Sequence, residues 1–262
     1  MIEISLYLLI ILITCMGGYF VKSLSVSGAI ATFFIGVFVA IGFQWPGLLL
    51  LGVFFVTSSF CSMYKKQQKK KLGDMLEKGS ARDWIQVAAN GSVASLAAIL
   101  YFVSESSIWL IAFIISVAAA NADTWASELG VLSKNKPFYI LTWKRVEKGT
   151  SGAVSALGTI VSLVASLFII LVASFLFSLN SFSLLIFTTI FGYLGSALDT
   201  LLGATIQARY SCVKCKITTE KTMHCNLKTT LNKGMKWCNN DIVNFLSIFL
   251  TTALGTVIYT LL

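Results

Sequence analysis

Apolar residues run along this chain in long blocks, broken by a few short clusters of polar positions. The stretches 4–21, 26–43, 45–62, 84–103, 108–122, 153–178, 183–207 and 240–262 are nearly free of charge. A helix crosses a hydrocarbon core with about 20 mostly apolar residues. The pattern therefore predicts an all-α fold, a polytopic transmembrane helix bundle of about eight spans. Only a tight turn around Gln44 separates the second and third stretches, and the short fifth continues through Ala122 into a loop.

Composition excludes the alternatives. The chain has 262 residues, 56% hydrophobic and 12% charged, with a mean hydropathy of +0.83. Soluble domains carry about 25% charged residues. A water-exposed surface, a disordered chain, a coiled coil and a small disulfide scaffold are all incompatible with these values. Residues 1–262 read as a single integral-membrane domain.

The net charge is +9, and its placement removes nucleic acid as a partner. Lys22 stands in the first connection. Segment 63–83 holds Lys65, Lys66, Lys69, Lys70, Lys71, Lys78 and Arg82. Segment 123–152 holds Lys134, Lys136, Lys144, Arg145 and Lys148. Segment 208–239 holds Arg209, Lys214, Lys216, Lys221, Lys228, Lys233 and Lys236, which completes the 20 basic residues of the chain. All fall in alternate connections, as the positive-inside rule requires for eight spans with both termini outside. The expected location is the cell membrane, multi-pass, with the basic connections in the cytoplasm. The first span lacks a positive n-region and a small-residue cleavage site, so it reads as a retained helix. The run Lys65–Lys71 reads as an anchoring patch for anionic membrane lipid.

Polar residues inside spans are costly and mark function. Asp123 closes the fifth span, with Glu128 beyond it. Asp199 lies eight residues before the cytoplasmic end of the seventh, about 12 Å deep at 1.5 Å per residue. Asp241 opens the eighth beside Asn239 and Asn240, with Asn244 one turn deeper. Gln86 and Asn90 lie in the first turns of the fourth. All belong to the cytoplasmic half. Transporters usually keep their sites near the midplane, whereas carboxylates beside cations at one face suit Mg²⁺ and phosphate. Helix capping and internal charge pairing are the plainer roles for these carboxylates.

Lys148-Gly149-Thr150-Ser151-Gly152-Ala153-Val154-Ser155 enters the sixth span from the cytoplasm. Glycines admit close backbone approach and a helix N-terminus favours anions, so the segment is an anion cradle or a close-packing helix start. Each arginine, Arg82, Arg145 and Arg209, stands near a membrane boundary and reads as a headgroup anchor or a phosphate clamp.

Cys15 and Cys61 read as packing residues. Cys212-x-x-Cys215 followed by His224-Cys225 has metal-ligand spacing, which leaves structural Zn²⁺ and free thiols as two readings. Adjacent His224 and Cys225 are awkward joint ligands, and Cys238 is an alternative fourth.

Six motifs follow in order. They are Arg82-Asp-Trp-Ile-Gln-Val-Ala-Ala-Asn-Gly91, Asn121-Ala-Asp-Thr-Trp-Ala-Ser-Glu-Leu-Gly130, Gly149-Thr-Ser-Gly-Ala-Val-Ser155, Gly195-Ser-Ala-Leu-Asp-Thr200, the cysteine segment, and Asn239-Asn-Asp-Ile-Val-Asn244. Together they resemble the integral-membrane family known as domain of unknown function 92, which includes a plastid phytyl-phosphate kinase. Ser151-Gly152-Ala153 departs from relatives, which often show an acidic or amide residue and two glycines. The resemblance implies a Mg²⁺-dependent kinase that moves a phosphoryl group from a nucleoside triphosphate, CTP or ATP, to a phytyl- or prenyl-type lipid monophosphate. On that reading Asp123, Asp199 and Asp241 hold Mg²⁺, and Glu128 and Lys148 complete the catalytic set. Arg82, Asn90, Arg145, Gly149, Thr150, Ser151, Gly152, Ser155, Arg209, Asn240 and Asn244 bind phosphate and substrate. An acceptor phosphate is already ionised at neutral pH and needs no general base, which fits a chain with one histidine. An isoprenoid alcohol kinase or nucleotidyltransferase, and a transporter or assembly scaffold, are the alternatives.

Overall fold

The computed structural model describes residues 2–69 and 81–262; Lys70, Lys71 and Lys78 lie outside the described residues. Among the described residues, seven helices are long and apolar enough to cross a membrane: α1 (Ile2–Phe20), α2 (Val26–Met63), α4 (Trp84–Ser104), α5 (Ser107–Gly130), α6 (Ala156–Phe177), α7 (Phe182–Thr205) and α8 (Asn240–Leu261). A four-residue turn of helix, α3 (Lys66–Lys69), follows α2.

At 38 residues α2 is about 57 Å long, nearly twice a hydrocarbon core. It is two spans. Gln44 has φ 50° and ψ −139°, which breaks the helix, and Pro46 restarts it where a missing N–H costs least. The second limb returns along the first. A Cβ on Gly47 would stand 2.5 Å from Phe43 Cβ and 2.8 Å from Val39 Cγ1. Both ends of α2 meet Arg82. Its backbone bonds Ser23 and Ser25, and its Nη1 donates to Ser59 Oγ at 3.3 Å. The described residues thus make eight crossings, and α2 turns around at Gln44.

The centre of the bundle is α5. Every residue from Ile111 to Ala122 is buried, including the polar Ser116 and Asn121, which bond Phe113 O and Ala165 O. It packs against α2, α4, α6, α7 and α8. Small residues permit the closest approach, as Gly192 and Gly195 of α7 face Ala118 and Ala119 of α5. At the end of the bundle away from the basic connections, Phe43 stacks on Phe113 at 4.5 Å and meets Tyr101 in a tilted contact at 4.7 Å. The outer faces expose Leu9, Ile13, Phe175 and Leu254 to lipid.

Two boundaries differ from the sequence-based expectation. Helix α5 runs to Gly130, so Asp123 and Glu128 are helical and not in a loop. Helix α6 begins at Ala156, and Ala153–Val154 form a strand. The polar end of α5 faces a cavity, which makes a buried helical segment look like a connection. Among the described residues the connections also hold seven short strands. β1 (Phe138–Tyr139) pairs antiparallel with β2 (Ala153–Val154). β3 (Arg209–Ser211) lies between β4 (Thr218–Thr219) and β7 (Thr230–Lys233). β5 (Met223–His224) and β6 (Leu227–Lys228) make a hairpin.

Candidate functional site

Four helix ends converge on one side of the bundle. Asp83 caps α4 by accepting from Gln86 N at 2.9 Å, and Gln86 Oε1 accepts in return from Asp83 N at 3.1 Å. This capping box fixes the first turn, so Asn90 Nδ2 reaches Gln86 O at 2.9 Å. Asn239 caps α8 by accepting from Ile242 N at 3.1 Å, which places Asn240, Asp241 and Asn244 on its first turns. The last turns of α5 bring Asp123, Thr124 and Glu128, and α7 brings Asp199 and Thr200. Together they line a cavity of about 640 Å³.

Most of the residues singled out from the sequence line this cavity. They are Asp123, Glu128, Asp199 and Asp241, then Lys148, Arg82, Asn90, Gly149, Thr150, Ser151, Gly152, Ser155, Asn240 and Asn244. Arg145 and Arg209 do not. Arg145 lies over the Phe138 ring at 4.9 Å, and Arg209 over Tyr139 at 5.2 Å. Both brace the β1 strand.

The carboxylates have distinct surroundings. Glu128 accepts from Lys69 Nζ and from Ser62 Oγ, both at 2.7 Å. Lys69, one residue of the Lys65–Lys71 run read from the sequence as a lipid-anchoring patch, is instead folded inward and also donates to Cys61 O at 2.6 Å. Asn244 donates to Asp199 Oδ2 at 2.9 Å and to Asn240 O at 3.0 Å. Asp241 is buried. Two polar atoms in the cavity wall, Asn90 Oδ1 and Ser162 Oγ, are buried without a protein partner.

The 148–155 segment is held largely by the protein itself. Lys148 donates to Ser133 O. Gly152 has φ +76°, and a Cβ there would collide with Ala204 of α7. Ser155 caps α6, accepting from Gly158 N at 3.1 Å and donating to Gly130 O at 3.2 Å. Ser151 Oγ donates to Glu220 Oε1 at 2.6 Å, where Gln207 Nε2 also donates at 2.8 Å. Glu220 thus lines the cavity from the 208–239 connection. Sequence reasoning missed it, because nothing local separates it from the charged residues around it.

That connection also gathers Cys212, Cys215, His224 and Cys225, whose ligand atoms all lie within 4.8 Å of one another. The β5–β6 turn explains how neighbours can converge. Cys225 and Asn226 have φ 52° and 60°, which folds the hairpin so that His224 and Cys225 face the same point. Cys238 is buried and stands outside the cluster. The Cys212 thiol is held down to about 6, chiefly by a hydrogen bond from the Cys215 backbone and also by the His224 side chain.

Among the described residues this is the only compact set of three or more Cys, His, Asp or Glu donors. Asp123, Asp199 and Asp241 share a cavity without forming such a set. Mg²⁺ prefers one or two carboxylates plus phosphate oxygens and water, so the cavity's carboxylates and its unpartnered oxygens, Asn90 Oδ1 and Ser162 Oγ, fit a metal bound together with a phosphate ligand.

Eight apolar crossings around one polar, one-sided cavity define an integral multi-span membrane protein. Its family is shown by sequence: the chain belongs to the integral membrane protein family DUF92, whose model matches residues 9–252. It is 34% identical to Protein PGR of Arabidopsis thaliana over 90% of this chain and 89% of that one. It is 35% identical to a membrane protein of Methanocaldococcus jannaschii over 64% of this chain and 67% of that one. It is 26% identical to the chloroplastic protein VTE6 of Arabidopsis thaliana over 88% of this chain and 63% of that one. No solved structure matches it.

Proposed function

We propose that this protein is a membrane phosphotransferase that moves a phosphoryl group from a nucleoside triphosphate to an isoprenoid lipid monophosphate, at the cytoplasmic face of the cell membrane. The observation that carries the reading is the single cavity joining carboxylates of α5, α7 and α8 to Lys69, Lys148 and Arg82. Family membership and the motif resemblance supply the substrate class.

In this reaction an ionised oxygen of the lipid phosphate attacks the terminal phosphorus of the nucleotide. The bond to the bridging oxygen breaks, and the nucleoside diphosphate leaves. The acceptor is already deprotonated, so the protein's work is positioning and charge neutralisation. Asp123 and Asp199 would hold Mg²⁺, which supplies charge neutralisation on the donor phosphates. Asn244 orients Asp199. Arg82 and Lys148 line the same cavity and would offer positive charge to the phosphates, and Asn90 Oδ1 and Ser162 Oγ add to the polar lining. Asp241 and Asn240 bound the site from α8.

Two features weigh against a transporter. The buried apolar length of α5 from Ile111 to Ala120 and the Phe43–Phe113 stack fill the bundle beyond the cavity, leaving the carboxylates facing one side.

The test is purified full-length protein with Mg²⁺, labelled CTP or ATP, and phytyl, farnesyl and geranylgeranyl monophosphates. Label transferred to a lipid diphosphate supports the reading. Transfer to the corresponding alcohols alone, or to none of the lipids with folded protein, overturns it.

A further inference from the structure

The 208–239 connection contains a cluster that the proposed reaction does not use. Cys212 and Cys215 flank the β3–β4 turn, where Lys216 N donates to Cys212 O at 3.0 Å and Cys212 N to Ile217 O at 3.0 Å. His224 and Cys225 come from the β5–β6 hairpin. The two turns meet through side chains. Cys215 Sγ lies 3.4 Å from His224 Nδ1 and 3.8 Å from Cys225 Sγ, and Cys225 Sγ lies 3.3 Å from the same nitrogen.

These separations bear on what the cluster could hold. A disulfide needs sulfurs about 2.05 Å apart. A tetrahedral zinc with Zn–S of about 2.3 Å and Zn–N of about 2.0–2.1 Å places its sulfurs about 3.8 Å apart and sulfur and nitrogen about 3.5 Å apart. The three edges among Cys215, His224 and Cys225 match the tetrahedron and not the bond, and Cys212 offers its sulfur within 4.8 Å of the other ligand atoms. Three sulfurs and one imidazole nitrogen make a closed set for a borderline-soft ion with no position left for water.

We propose that Cys212, Cys215, His224 and Cys225 form a structural Zn²⁺ centre that fixes the fold of this connection. The need is physical. The connection has no apolar core of its own: β5 and β6 are two residues each, and Val213, Ile217, Met223 and Leu227 are exposed. A two-stranded hairpin is marginal in water, so a crosslink between the turns replaces the missing core. The centre also sets one wall of the cavity. Glu220 follows β4 directly and precedes β5 by two residues, so both arms that place it are tied by the metal. Thr229 secures the same link, with N donating to Thr222 O at 3.0 Å and Oγ1 to Lys221 O at 2.8 Å. Metal binding replaces the thiol protons and changes no oxidation state.

The test uses full-length protein in detergent, purified without chelator from zinc-containing medium, and reads metal and structure, not turnover. Elemental analysis should find about one zinc per chain. Cobalt exchanged into the site should give the intense visible bands of a tetrahedral thiolate complex. The exposed Cys215 and Cys225 should resist alkylation until a strong chelator is added, and hydrogen exchange over 218–229 should then rise. A Cys215→Ser, Cys225→Ser double variant should lose the metal, while His224→Cys should keep it as a four-thiolate site. Metal-free protein with freely alkylated Cys215 and Cys225, a Cys215–Cys225 disulfide in the native chain, or full zinc content in the double variant would each overturn the proposal. None of these readouts depends on the lipid-phosphate reaction.

Discussion

Lys69 Nζ stands 2.7 Å from Glu128 Oε2, and this pair folds the basic segment after α2 onto the last turns of α5. Both side chains are largely shielded, at 12% and 28% exposure, so the pair is worth more than a surface ion pair. Removing either partner alone should destabilise the protein by about 1–3 kcal/mol, because the remaining charge loses its compensation. A Lys69→Met, Glu128→Gln double-mutant cycle, followed by thermal unfolding in detergent, should show a coupling of about 1 kcal/mol or more. Additive single effects would make the contact incidental.

The cavity carboxylates should separate activity from folding. Asp123→Asn and Asp199→Asn should retain the melting temperature and lower Mg²⁺-dependent phosphorylation of a lipid phosphate by about 10²-fold or more, the scale of a lost preorganised electrostatic contact. Asp241→Asn should have a similar or smaller effect, since Asn240 stands beside it. Near-normal rates in both of the first two variants would reassign these carboxylates to charge pairing.

The loop before α6 should be intolerant at one glycine. Gly152 has φ +76° and abuts Ala204, whereas nothing lies within 4 Å of a Cβ built on Gly52. Gly152→Ala should cost about 1–3 kcal/mol through backbone strain and overpacking. Gly52→Ala, within α2, should be neutral or slightly stabilising. Paired melting curves decide this, and equal shifts in the two variants would contradict the packing seen here.

Orientation can be measured directly. The cavity connections carry Lys136 and Lys228, while Glu105 caps α4 at the opposite end of the bundle. Single cysteines introduced at positions 136 and 228, with the parent protein as the baseline, should add no labelling by an impermeant thiol reagent outside intact cells. A cysteine at 105 should react, as should one near either terminus. Lys70 is expected on the same side as Lys136. Labelling at 136 or 228 from outside would turn the cavity to the external face.

The spans and the asymmetry of their ends are legible in the order of the residues alone. Lipid demands about 20 apolar residues per crossing, a local and contiguous requirement, so eight stretches and the alternation of basic connections can be read directly. The same order marks Asp123, Asp199, Asp241, Asn90 and Asn244, because a polar residue in an apolar helix is conspicuous. Tertiary structure alone decided which polar groups meet. Lys69 reaches Glu128 across 59 residues, and Ser151 reaches Glu220 across 69. Nothing local distinguishes Lys69 or Glu220 from their charged neighbours, and Arg145 and Arg209, equally conspicuous, turn instead onto Phe138 and Tyr139. The extent of α5 was hidden for the same reason: Asp123 and Glu128 look like loop residues until the cavity they face is in view. The adjacent His224 and Cys225 are poor joint ligands in an extended chain. The positive φ of Cys225 and Asn226 brings them to one point, and that turn is a property of the folded hairpin, outside the reach of ligand spacing.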